Sequence, residues 1–199
     1  MSDADAIDWT FVMGRVRGRL IDATDCDLYR NLYAAPEVMA HIGATMSVEA
    51  ATETFQKALG HNRDPAARAR YWQITDARCD EAVGMVALVR AAQAPTHAEL
   101  GVMLLPRWQN RGVGLPALAG VVDGVIHGRW LPGIDRLIGR HAIANPNAGR
   151  LTAVLGFDRQ PDDDSDHVSW WLDRATWNAR WDAWPRAARN LRNSPKKES

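Results

Sequence analysis

The residues with the clearest chemical purpose lie in Gln109-Asn110-Arg111-Gly112-Val113-Gly114, directly after a Pro106-Arg107-Trp108 corner. An apolar run from Leu100 to Leu105 feeds this loop, and helix-periodic apolar residues follow it. A helix N-terminus carries unpaired backbone N–H groups and the positive end of the helix dipole. A buried strand that opens through a glycine turn into a helix is therefore suited to a phosphate. Gly112 and Gly114 lack Cβ, so the chain there can take positive φ and approach an anion closely. It is not a P-loop, since no Gly-Lys-Ser/Thr follows, and the G-x-G-x-x-G spacing of dinucleotide folds is missing. A plain strand-to-helix turn and a nucleotide-phosphate binder of unrelated fold are the alternatives.

The elements that must position this loop can be taken in chain order. Residues 1–12 are expected as a lead-in, and Arg15 to Ile21 as the first strand. Thr24 is expected to cap a helix carrying Leu28, Leu32 and Ala35, with a further helical turn from Pro36 to Gly43. Ser47 is expected to cap the next helix, to about Leu59, with Ala51, Phe55 and Ala58 on one face. Tyr71–Thr75 and Ala82–Val89 read as an antiparallel hairpin, followed by the strand ending at Leu105. Leu118, Val121, Val122, Val125 and Ile126 mark the core face of the helix after Gly114. Arg136–Ile143 is a strand. Asn145-Pro146 pairs an N-cap with proline at the first helical position, and Gly156 ends that helix. A short strand starts at Phe157 and the last strand spans Val168–Leu172. Trp177, Trp181 and Trp184 share one face of a terminal helix, and 193–199 are expected to be disordered.

The spacing Gln109-x-x-Gly112-x-Gly114 resembles the Q/R-x-x-G-x-G/A signature of the Gcn5-related N-acetyltransferases, the GNAT superfamily. Asn145-x-x-Ala148-x-x-Leu151-Thr152-x-x-x-Gly156-Phe157 resembles a second pattern of that family, N-x-x-A-x-x-L-Y-x-x-x-G-F. Ala35-Pro36-Glu37-Val38-Met39 is similar to a run of its RimJ/RimL-type branch. Two positions depart from these patterns: Thr152 stands where the family tyrosine, often a general acid, would be, and Pro116 stands where the branch often has Glu.

The resemblance implies one α/β (α+β) acyltransferase domain over 13–192. Its mixed, mostly antiparallel sheet would have about seven strands flanked by helices, splayed between strands 4 and 5. It implies acetyl-CoA as co-substrate, its pantetheine arm in the gap between the strand ending at Leu105 and that ending at Ile143. Backbone groups at Val102, Met103 and Leu104 would meet this arm, one N–H polarising the thioester carbonyl. Arg107, Gln109, Asn110, Arg111, Gly112, Val113 and Gly114 would hold the diphosphate, with Asn145 and Arg150 on the cofactor's other side. Glu99 is the candidate base that receives the amine's proton; a solvated strand-end glutamate is the other possibility. Thr152 is named only for its place. His41, Trp72 and His97 are the substrate-side candidates, with ordinary packing as the alternative for His41 and Trp72, and a solvated strand start as the alternative for His97, which could otherwise help as a base. The acceptor would be a small-molecule amine or a protein N-terminus, and a homodimer is compatible with the tryptophan stripe. A GNAT-fold protein that binds CoA without catalysis is the competing expectation.

Composition narrows the field. The chain has 199 residues and zero formal net charge, so nothing in the overall balance favours nucleic acid or an anionic membrane. No apolar run reaches transmembrane length. Six histidines and two cysteines show no ligand spacing, so no metal is expected. Cys26 and Cys79 fit free thiols, and together with an acidic, non-signal start this leads to a cytoplasmic expectation.

Overall fold

Alternating apolar residues build the sheet, and helices close over both of its faces. The structure is a computed structural model describing residues 7–161 and 166–183. Its strands are β1 (Phe11–Met13), β2 (Val16–Leu20), β3 (Ala69–Asp76), β4 (Glu81–Arg90), β5 (His97–Leu104), β6 (Arg136–Ala142), β7 (Asp158–Arg159) and β8 (His167–Asp173). The helices are α1 (Cys26–Ala34), α2 (Pro36–Met39), α3 (Val48–Arg63), α4 (Gly114–Ile126), α5 (Pro146–Leu155) and α6 (Arg174–Ala183). The eight strands lie in the order β1-β2-β3-β4-β5-β6-β8-β7. Every pair is antiparallel except β5–β6. The mixed sheet and its flanking helices match the expected architecture, with one strand more.

The extra strand comes from the segment expected as a lead-in. Gly14, at φ 58°, turns Phe11–Met13 back onto β2. Trp9 stacks on Trp130 with ring centroids 5.8 Å apart, which ties this segment to the core. The splay expected between strands 4 and 5 accordingly falls between β5 and β6.

Each face of the sheet buries its own cluster. On one side, Trp72, Leu88 and Leu100 pack with Val121, Val125 and Trp130, so α4 lies in the main core. On the other, Tyr29, Leu32 and Phe55 of α1 and α3 close over Ile21, Met85 and Leu105. Ser47 Oγ accepts from Ala50 N–H (3.2 Å), as expected of a cap. Thr24 does not cap its helix. Asp22 instead caps the turn ahead of it, accepting from Thr24 N–H at 2.8 Å, while the Asp25 carboxylate accepts from Asp22 N–H at 2.9 Å. This reciprocal box starts a 3-10 turn over Ala23–Asp25, ahead of α1. Trp177 is fully buried in the main core. The side chain of Trp181, all of Trp184, most of the acidic stretch 162–166 and the 193–199 tail lie outside the described residues.

Candidate active site

Parallel pairing of β5 with β6 covers only His97–Glu99 against Arg136–Ile138. Beyond Glu99 the strands part, while β5 stays paired with β4 through Leu104. Backbone direction alternates along a strand, and two bonds fix the phase here. Leu105 N–H donates to Val83 C=O (3.0 Å), and His97 C=O accepts from Ala91 N–H (2.9 Å). Odd residues of β5 therefore bond to β4. Val102 and Leu104 turn their N–H and C=O towards the gap. On β6, Ile143 N–H donates to Asp166 C=O (2.9 Å), so the odd residues face β8 and Arg140 and Ala142 face the gap. Of the three backbone candidates, Val102 and Leu104 can meet a ligand, whereas Met103 is paired with Met85. The opening is a cleft of about 410 Å³.

The glycine loop lies beside this gap. Asn110 (φ 57°) and Gly112 (φ 72°) are left-handed, and a Cβ on Gly112 would find no atom within 4 Å. Such turns expose consecutive amides as an anion-binding concavity. α4 starts on Val113 with no side-chain cap, so its first-turn amides have no capping side chain. At Gly114 a Cβ would stand 3.4 Å from Leu104 and 3.5 Å from Leu151, which brings the helix start against the cleft wall. Gln109 Nε2 donates to Leu104 C=O at 3.4 Å. These features fit the diphosphate of a CoA-type ligand. Arg111 is exposed at the loop tip. Arg107 is turned elsewhere: its guanidinium pairs with Glu81, Nε donating at 2.9 Å, and holds that carboxyl below its usual range.

The α1–α3 side of the cleft would receive an acceptor. Tyr71, Ala87 and Gly101 form one cross-strand row over β3, β4 and β5. Their side chains shrink towards the gap, and a Cβ on Gly101 would meet nothing within 4 Å. Glu99 is exposed on the same face, and Tyr33, His41 and Ile42 add a wall. Burial and nearby Tyr33 push the Tyr71 phenol upward, so it stays protonated.

Trp72 was expected on the substrate side, and the structure corrects this. Strand alternation sends it to the α4 face, fully buried, with Nε1 donating to Trp9 C=O at 2.9 Å. Tyr71, one residue earlier, faces the cleft; period-two alternation was the signal that could have found it. His97 is not on the cleft lining. It stands at the foot of β5, 3.9 Å from Asp135.

On α5, Asn145 caps the helix by accepting from Ala148 N–H (3.1 Å) and lines the cleft. Arg150 is exposed and does not line it. Thr152 lines the cleft, but its hydroxyl donates to Ala148 and Gly149 carbonyls at 3.2 and 3.0 Å. His141 Nε2 accepts from Trp170 Nε1–H (3.0 Å), and its Nδ1 donates to Ala142 C=O (2.9 Å). Both ring nitrogens are thus engaged in a neutral tautomer.

Among the described residues no group of acidic, histidine and cysteine side chains is placed to hold a metal ion. No described helix is long and apolar enough to cross a membrane. The model of the acetyltransferase (GNAT) domain matches residues 15–158, and the chain belongs to that family. No curated protein matches the sequence. Solved structures of similar fold include FdhC, an apo nucleotide-linked sugar GNAT, at 14% identity and TM-score 0.74, covering 92% of this chain and 99% of that one. Ribosomal-protein-S5-alanine acetyltransferase from Vibrio fischeri is similar at 17% identity and TM-score 0.70, over 85% and 99% of the two chains. Spermidine N-acetyltransferase from Vibrio cholerae, in complex with CoA and spermine, is similar at 16% identity and TM-score 0.65, over 82% and 98%. At such identities the likeness is one of fold.

Proposed function

We propose that this acetyltransferase moves the acetyl group of acetyl-CoA directly to a primary amine of a small molecule or a protein N-terminus. The observation that supports this most is the parting of β5 from β6 after Glu99, which leaves Val102 N–H facing a cleft. In the proposed geometry that N–H polarises the thioester carbonyl as charge develops on its oxygen. Asn110 to Gly114 and the first turn of α4 hold the diphosphate, and Asn145 lies against the pantetheine arm. The acceptor enters between Tyr71, Tyr33 and His41. Glu99 receives the ammonium's proton through water, since only the free amine attacks. The sequence run Ala35-Pro36-Glu37-Val38-Met39 supports assignment to the RimJ/RimL-type branch.

A second reading follows from Thr152, whose hydroxyl proton is held by helix carbonyls: a CoA-binding protein without turnover. Thiol release from acetyl-CoA across a panel of amines separates the two. Turnover with any primary amine supports transfer. Thermal stabilisation by CoA without release for any amine supports the second reading.

A further inference from the structure

We infer that Arg15, on the turn between β1 and β2, is a positioning residue that aims the Gly112 amide at the diphosphate; this rests on the proposed use of the glycine loop. One guanidinium makes two contacts at once. Its Nη2 pairs with Asp76, at the end of β3, and its Nη1 donates to the Arg111 carbonyl at 3.1 Å. The carboxylate is buried at 1% exposure, so it is a fixed anchor, and the Arg15 side chain is itself three-quarters buried. The guanidinium also lies 5.8 Å from the centroid of the Trp108 ring, which packs between the two cores.

The consequence follows from peptide geometry. A trans peptide points its C=O and the next residue's N–H in opposite directions within one plane. Fixing the Arg111 carbonyl towards Arg15 turns Gly112 N–H away from the protein body. The plane in question lies between Arg111 and Gly112, and Gly112, at φ 72°, lacks the Cβ that would resist the change of φ a flip needs. With Arg15 removed, a flip of this plane would present a carbonyl, rather than an amide, to a phosphate. Arg107 acts alongside by tying the preceding turn to Glu81, at the start of β4. Both straps hold the loop to the same β3–β4 corner, Asp76 to Glu81.

The test is equilibrium binding of CoA and of pantetheine, which has the same thiol arm without the diphosphate. Arg15→Gln leaves the buried Asp76 with only the exposed Arg78, 3.6 Å away, as an ion partner, so two variants guard the fold. Arg15→Lys keeps the ion pair but replaces the rigid two-nitrogen fork with one point donor, which loses the fixed geometry of the pair of contacts. Arg15→Gln with Asp76→Asn removes both charges together. In each, the Kd for CoA should rise roughly tenfold, as for loss of a charge-assisted hydrogen bond, while the Kd for pantetheine stays within twofold. Wild-type CoA affinity in both variants would overturn the inference, as would an equal loss for both ligands, which marks general loosening. Gly112→Asp serves as the control. If it leaves CoA binding intact, the loop assignment falls and the role of Arg15 falls with it. If it weakens binding while the Arg15 variants do not, only the positioning role is refuted.

Discussion

Replacing Gly112 by Asp puts a carboxylate where the diphosphate should lie, and the expected effect can be worked from the loop. A Cβ there meets nothing within 4 Å, so the substitution causes no clash. The backbone is left-handed at φ 72°, which costs a side chain about 1 kcal/mol in the folded state. Asn at the same position bears a similar backbone cost without charge, and the loop already carries Asn110 at φ 57°. The Asp/Asn difference therefore isolates the electrostatic part. Two unit charges about 4 Å apart interact by about 1 kcal/mol in water and about 4 kcal/mol at an effective dielectric near 20. For a loop at the protein's edge an intermediate ~2 kcal/mol is appropriate, roughly a 30-fold difference in Kd. Calorimetric titration with CoA measures it for wild type, Gly112→Asp and Gly112→Asn. Raising salt to about 1 M, where the screening length is about 3 Å, should shrink the Asp/Asn ratio to a few-fold. Equal affinities for Asp and Asn at low salt would refute a diphosphate beside Gly112.

Glu99→Gln should lower kcat by about 100-fold or more, the usual scale for a lost general base, with CoA affinity unchanged; an unaltered rate removes Glu99 from that role. Thr152→Val should keep turnover within twofold, because the hydroxyl it loses is bonded to helix carbonyls; a hundredfold loss would make Thr152 the acid for the departing thiolate. Trp72→Ala should destabilise the fold by about 3–5 kcal/mol in urea unfolding, as expected for a buried tryptophan; a stable variant with altered acceptor preference would return Trp72 to the substrate side. The pH dependence of stability should carry the signature of Asp76. Burial pushes its carboxyl up, but the bonds from Arg15 and Arg78 outweigh this and leave it below its ordinary value. Its contribution is then complete above about pH 4 and is lost as pH falls through the lowered folded value. Asp76→Asn should flatten the acid limb of the unfolding curve; an unchanged limb would show that Asp76 is not linked to it.

Local chemistry was legible in the sequence, and long-range geometry was not. The caps Ser47 and Asn145 and the stop Gly156, at φ 90°, act within a few residues of themselves, and each does what its type suggests. The glycine loop was legible because strand, turn and helix follow without a break. The cap at Asp22 was missed because Thr24 is an equally good cap by type; only the reciprocal bond with Asp25 distinguishes them. β1 was missed because three residues carry no periodicity, and its existence depends on the Gly14 turn and on Trp9 meeting Trp130. Trp72 was misplaced by one residue of strand phase. Arg15 and Asp76 are 61 positions apart, and no local pattern announces their pairing.

The phase of β5 also explains why the donor is easier to read from sequence than the acceptor. Even residues send their side chains to the α4 core, where Leu100 is buried and Val102 and Leu104 pack against it, and their amides into the gap. Odd residues do the reverse: their amides bond to β4, and the side chains of Glu99 and Met103 face the α1–α3 side, with Gly101 leaving space between them. In the proposed function the thioester would thus be met by backbone, which any apolar pair at 102 and 104 presents in the same way. Its signature in sequence is the fold and the glycine loop, both recognisable as patterns. In the proposed function the acceptor would be met by Glu99, Tyr71, Tyr33 and His41, over the space that Gly101 leaves open; these come from separate parts of the chain and form no contiguous motif. Substitutions at odd positions of β5 should therefore change which amine is used while leaving CoA binding alone, and volume-conserving apolar changes at 102 should change neither.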